Sequence, residues 1–242
     1  MIKFFRHKRY DLMGKNKTGQ YLKYAIGEIV LVVIGILIAI SINNWNEKNK
    51  ANANEIYILT EILKNLKEDA LLVEDIIQQR EKAKGSFYIL NKFANNEEVN
   101  IDTLQLNLVY LLTFERYFPI NNAYEVLKSK GLKLTNNNLT TSISRYYDYE
   151  QNKINSSIKD IEFVVLQIYN NPKSFFRFIS SLKKDESIVI KNYNNPDFKK
   201  ELSYFLVPFE DNNGGTLDKL LAFRINNQKL NTQIEHELKS IQ

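Results

Sequence analysis

The sequence predicts an all-α protein, with one N-terminal transmembrane helix continuing into an extracytoplasmic antiparallel helical bundle. Three observations carry this. Residues Ile29 to Ile42 form an apolar run that only Ser41 interrupts. Beyond it, apolar residues recur at steps of three and four from Ile56 to Ile77, the helical period. The flank before the apolar run is strongly basic and the flank after it is balanced. The division predicted is a basic cytoplasmic tail (1–22), a transmembrane helix (23–45) and a periplasmic helical domain (46–242).

The apolar run alone rises about 21 Å as a helix, short of a hydrocarbon core of about 30 Å. The span therefore recruits Tyr24 to Glu28. Tyr24 and Trp45 then lie about 31 Å apart, which suits one ring at each interface. Glu28 falls about one turn inside the inner boundary. An acid there is costly, so Glu28 either snorkels to headgroup water or to Lys23 and the tail, or is a candidate for an intramembrane contact with a partner. Gly35 and Ala39 stand four apart and put two small residues on one face, where a second helix can approach closely. Glu28, Gly35 and Ala39 are thus the candidate intramembrane interaction residues, and Tyr24 and Trp45 the interfacial anchors. A cleaved signal peptide is the rival, with a small-residue site at Ala39-Ile40-Ser41. The long basic leader and the long apolar stretch weigh against it.

Orientation follows from charge. Lys3, Arg6, Lys8, Arg9, Lys15, Lys17 and Lys23 precede the span against Asp11 alone, a net +6. The whole chain is +5, so the remainder is −1. Basic flanks stay in the cytoplasm. The basic excess is therefore topogenic and lipid-facing, and the sequence pI of about 9.0 does not signal nucleic acid. Ile2, Phe4 and Phe5 among those charges suit a tail lying on the membrane surface, or a disordered one.

After the span, one helix is expected to about residue 93, with Ile56, Leu59, Leu63, Leu66, Ala70, Val73 and Ile77 as its seam, capable of a coiled coil. The acids Glu68, Asp69, Glu74 and Asp75 are expected on its solvated face, with Glu68 paired to Lys64. "ANNEEVN" at 94–100 is a loop, and "IDTLQLNLVYLLTF" a second helix broken at "FPINN". "NAYEVLKSKG" is a short helix capped by Asn122 and stopped by Gly131. The next helix carries Tyr147, Ile154, Ile158, Ile161, Val165 and Ile168, and ends at Asn171-Pro172. Residues 172–213 are the least regular. Asn212 to Gly215 reads as a turn, and the last helix starts near Thr216.

Chemistry is hard to find. There is no cysteine, and the histidines are His7 and His236 alone. A thiolate or histidine metal centre and a histidine-based triad are therefore not expected. "GKNKT" at 14–18 lacks the spacing of a phosphate loop. Tyr146, Tyr147 and Tyr149 cover more than one helix face and read as aromatic core with wet hydroxyls, or as a partner-facing cluster. No catalytic, cofactor or metal residue is assigned, and no enzyme is expected.

"MIKFFR" with "YAIGEIVLVVIGILIAISINNWNE", and "FPINNAYEVLKSKGLKLTNNNL", resemble a family of uncharacterised single-pass membrane proteins of Bacteroidota. The resemblance implies an inner-membrane location in a Gram-negative cell and carries over no catalytic residue. The expected function is a membrane-anchored module acting by protein–protein interaction. Its expected partners are the lipid bilayer and either a second copy or another membrane protein. The alternative is an extracytoplasmic ligand-sensing domain that signals through a membrane partner.

Overall fold

A computed structural model describes residues 18–131, 134–183 and 187–241. Residues 1–17 of the basic tail (1–22) lie outside them, and with them the expectation of a surface-lying segment. The chain divides into two compact units, residues 1–54 and 55–242.

The described part of the first unit is entirely helical and belongs to α1 (Thr18–Ala94), a helix of 77 residues. It contains a stretch near the N-terminus long and apolar enough to cross a membrane, with a mean hydropathy of 2.8 and none of its residues buried.

The second unit is helical apart from one hairpin. After α1 come α2 (Ile101–Leu112), α3 (Asn122–Ser129), α4 (Asn137–Arg145), a π-helical turn (Tyr146–Glu150) and α5 (Gln151–Asn170). A 3-10 turn (Phe175–Phe178), strands β1 (Ile179–Lys183) and β2 (Ser187–Ile190), and α6 (Pro196–Ile241) complete it. The strands pair antiparallel, with an irregularity between Ile179 and Ser181. The pairings Leu66–Asn227 and Arg80–Asn213 run α6 antiparallel to α1, and Ser157–Thr216 and Tyr146–Asn227 run it antiparallel to α5 and the π turn.

Two apolar clusters fill this unit. One gathers Ile58, Leu59, Leu66 and Ile77 with Ile143, Ile158, Leu220 and Phe223. The other gathers Leu90, Leu104 and Leu111 with Val165, Phe175, Phe198 and Phe209. Each fully buried leucine or phenylalanine contributes about 1.5–3 kcal/mol. Between the clusters lies a polar layer. Thr216 donates to the Ser157 carbonyl (3.1 Å), Lys219 donates to Ser157 Oγ (2.7 Å), and Asn213 Nδ2 donates to the Arg80 carbonyl (3.1 Å).

Several expectations need correction. The seam of α1 is rotated: Ile58, Leu59, Ile62, Leu66, Val73, Ile76 and Ile77 are buried, whereas Ile56, Leu63 and Ala70 are only half-buried. Asp69 is fully buried, not solvated. The second helix stops at Leu112, well before Pro119, because Thr113 turns extended (ψ 141°). The cap of α3 is Asn121 rather than Asn122, and its side chain makes no capping bond. Gly131 does end that helix, in the left-handed conformation (φ +59°) that glycine tolerates best.

The largest correction concerns Asn212 to Gly215, which lie inside α6. Isolated, Pro208 and two glycines disfavour a helix. Here Asn213 and Thr216 are buried and bonded across to α1 and α5, and that tertiary gain outweighs local propensity. The irregular region 172–213 accordingly resolves into the 3-10 turn, the hairpin and the first turns of α6.

Candidate functional site

The inward face of α1 carries polar residues among the apolar ones: Glu55, Asn65, Asp69, Arg80 and Ser86 are all buried. A buried polar group is costly unless it is bonded. Asp69 is met on several sides. Tyr117 donates its hydroxyl to Oδ1 (2.6 Å), and Tyr146 donates to Oδ2 (2.6 Å). Gln151 Nε2 donates to Oδ2 at 3.1 Å. Asn227 Nδ2 in turn donates to the Tyr146 hydroxyl (2.8 Å) and to the Leu66 carbonyl (2.9 Å). Burial pushes the Tyr117 and Tyr146 hydroxyls well above their ordinary titration range, and the Asp69 carboxyl adds to the shift. Both tyrosines are therefore neutral donors at any physiological pH. The wet-hydroxyl reading is thereby corrected for Tyr146 and Tyr147, which are buried, while Tyr149 is exposed.

These residues converge on the stretch between α2 and α3, residues 113–121, which has no regular structure. Its backbone carbonyls need partners from elsewhere. Arg80 Nη2 donates to the Thr113 carbonyl (2.7 Å), and the Tyr169 hydroxyl donates to the Leu112 carbonyl just before it (2.7 Å). Tyr117 is tied to Asp69. Asn65 Oδ1 accepts from the Ala123 amide just after the stretch (3.1 Å). On the surface, Arg116 pairs with Glu162 (2.6 Å). The loop is thus clamped along its length by side chains rooted in α1 and α5. Yet Phe118, next to the buried Tyr117, is 73% exposed. It borders a groove of about 410 Å³ that Tyr117 and Ile76 help to line.

Arg80 is buried with one carbonyl bonded, and Nη1 has no partner among the described residues. Burial lowers its pKa to about 10, against the opposing pull of Glu115. The guanidinium remains charged at neutral pH. Its charge sits beneath the loop that it holds.

The π turn shapes a second, smaller groove. Its ring is closed by the Gln151 amide donating to the Tyr146 carbonyl. The turn buries Tyr146, Tyr147 and Glu150, while Tyr149 points outward. Tyr147 stacks on Tyr124 (4.7 Å), and its hydroxyl has no partner among the described residues. Tyr146 and Glu150 line an open groove of about 240 Å³ with Arg145, Asn226 and Lys229. π turns recur at functional sites.

The protein belongs to the DUF6090 family. That family, described as one of unknown function, matches residues 28–154, just over half of the chain. No curated protein and no solved structure matches the chain. The DUF6090 segment begins at Glu28 and includes Asp69, Arg80, the clamped loop and the π turn. Asn213 and Asn227, which brace them from α6, lie beyond it.

The intramembrane candidates all lie on α1 and belong to the first unit. Tyr24 and Trp45 are exposed, and Glu28 is half-buried. A Cβ added at Gly35 would meet no atom within 4 Å. The polar residues of the second unit are not among the candidates that the sequence offers. A signal was present: Leu66, Asp69, Val73, Ile76, Arg80 and Ala83 alternate steps of three and four. A charged residue in that register was assigned outward by its chemistry rather than inward by its position.

Proposed function

We propose that this DUF6090 protein is a membrane-anchored helical module that works by binding other proteins. In this reading residues 23–45 span the inner membrane of a Gram-negative cell. The N-terminus is cytoplasmic and the helical domain periplasmic. The carrying observation is the outward display of large apolar side chains on α1, Leu31 at 65% for example, with no protein over them. Such a continuous apolar surface calls for lipid. The basic residues before it set the orientation. The clamped loop, which presents Phe118 to solvent from backbone that is bonded on both sides, supports the binding role, because a preorganised surface loses little entropy on association.

Glu28 belongs to the same reading. An acid at the centre of a span costs about 2.5–3.5 kcal/mol, and less near the boundary. Leucine would insert better. In this reading Glu28 contributes a hydrogen bond or ion pair to another membrane protein or a second copy, on the side it shares with Leu31, Val32 and Gly35. The test begins with topology. Alkaline phosphatase fused after residue 242 should be active, and a fluorescent protein that matures only in the cytoplasm should be dark there. The reverse pattern, or mature protein beginning at Ile42, overturns the anchored reading. Affinity purification from native membranes follows. Glu28→Leu should insert normally but lose its partners, and Glu28→Gln should keep part of them.

The ligand-sensing alternative is favoured by one feature, the polar groove at the π turn. There a largely buried Glu150 faces Arg145 at 3.4 Å.

A further inference from the structure

The groove beside Phe118 has a definite chemistry. Its apolar side is Ile76, Leu72 and Phe118, of which Phe118 is largely exposed. Its polar lining includes two carboxylates, Asp75 from α1 and Glu115 from the loop, with Gln78 and Gln79. Neither carboxylate makes an ion pair among the described residues. The one cation in the lining, Arg116, is already engaged by Glu162 (2.6 Å). The lining therefore carries an excess of negative charge, although the buried Arg80 beneath the loop already draws on Glu115. Its walls differ in origin, one being α1 and the other the loop 115–118. Arg80 and Asp69 hold that loop from below.

We propose that this groove docks a segment of another protein in which a lysine or arginine adjoins an apolar side chain. The apolar side chain covers Leu72, which is exposed above the buried Ile76. The cation meets Asp75 and Glu115, and it can also lie over the Phe118 ring, an attraction that strengthens as water is excluded. A volume of about 410 Å³ accommodates a few side chains, not a domain face. Two other occupants fit worse. A second copy would bring the same carboxylates against these across a two-fold contact, like charge on like. An anionic lipid surface would be repelled for the same reason. The inference rests on the interaction reading above and names a partner chemistry for it.

The test uses the full chain in nanodiscs of phosphatidylcholine, with empty discs as the blank. The probes are short fluorescein-labelled peptides of leucine with lysine, leucine with glutamate, and serine with lysine, followed by fluorescence anisotropy. The leucine–lysine peptide should bind at least about tenfold more tightly than either of the others. Phe118→Ser and the pair Asp75→Lys with Glu115→Lys should each weaken it by about tenfold or more. These positions are exposed, so circular dichroism should show unchanged helix content and certify the fold. Equal binding by all three peptides, or binding indifferent to the variants, overturns the proposal. Native-membrane purification separates the two levels. If Glu28→Leu strips partners while Phe118→Ser strips none and no peptide binds, the groove assignment falls and the interaction module stands. If neither variant loses a partner, the module reading falls as well.

Discussion

Within α1, the stretch from Leu22 to Trp45 points leucine, isoleucine and valine outward, whereas the stretch from Glu55 to Phe93 turns Glu55, Asn65, Asp69 and Arg80 inward. The two stretches share a helix and reverse the usual assignment of polar and apolar residues. Each reversal has a physical cause. In the first, the surrounding medium of the proposed reading is lipid, and apolar surface is what lipid solvates. In the second, inward polar groups hold segments that have left helical geometry, Arg80 and Glu55 through backbone and Asp69 through the Tyr117 side chain. Asp69 and Arg80 stand opposite residues 113–121, and Glu55 accepts from the Thr135 amide (2.8 Å) and hydroxyl (2.5 Å) where the chain enters α4. Buried polarity on α1 thus marks the places where an irregular segment must be held.

That contrast is broken most sharply at Asp69. Asp69→Ala leaves two tyrosine hydroxyls and the Gln151 amide without their acceptor. Each buried unsatisfied group costs about 1–3 kcal/mol, so a loss of about 4 kcal/mol is expected after partial relaxation. Asp69→Asn keeps the shape and one acceptor oxygen and should lose about half as much. Urea unfolding followed by circular dichroism is the measurement, because the single tryptophan, Trp45, lies outside the helical domain. Insertion of the span should not change. Equal losses for alanine and asparagine would show that packing volume, not the hydrogen bonds, is what Asp69 supplies.

A smaller effect comes from pH. Burial raises the Tyr117, Tyr146 and Tyr147 hydroxyls far above the ordinary value of 10.0, and raises Tyr169 to about 12. The folded state therefore holds these protons after the unfolded chain has lost them. Stability is full below pH 10 and falls as pH rises above it, by about 1.4 kcal/mol per pH unit for each tyrosine. The Tyr169 contribution is exhausted near pH 12. Tyr147→Phe sharpens the point. Its hydroxyl lacks a partner among the described residues, so removing it should raise stability at neutral pH by up to about 1 kcal/mol and make the alkaline decline shallower. Tyr146→Phe should instead cost about 1–2 kcal/mol at neutral pH, because Asp69 loses a donor. Urea titrations at several pH values decide between these outcomes.

Legibility in the sequence followed the same divide. The apolar run, the end of α1 near Ala94, the stop at Gly131 and the stop at Asn171-Pro172 could be read because each depends on local chemistry or on a long period. The seam residues Ile154, Ile158, Ile161 and Val165 were legible for the same reason and are buried. What escaped depends on partners distant in the chain. Asn212 to Gly215 has the composition of a turn and is helical through its bonds to α1 and α5. Asp69 has the composition of a surface and is buried because Tyr117 and Tyr146 arrive beside it. The hairpin of Ile179–Lys183 and Ser187–Ile190 carries too few residues for a period to be seen.

The smallest expected effect lies in the span and tests whether its outward face has a helix partner beyond lipid. Gly35 and Ala39 are four apart, so they share a face with Glu28, seven residues before Gly35. A Cβ at Gly35 would meet nothing within 4 Å among the described residues, so Gly35→Ile should leave α1 and the helical domain unchanged. Any change in association then reports on contact with another helix. Small residues on such a face let backbones approach, and in lipid that packing is worth about 1 kcal/mol. Gly35→Ile should accordingly reduce crosslinked dimer in membranes about fivefold, measured with a cysteine introduced at Asn46. Val33→Ile, about 200° around the helix from Gly35, should change nothing. Equal crosslinking in both variants would leave the span facing lipid on every side. Self-association would then have to be sought in the helical domain alone.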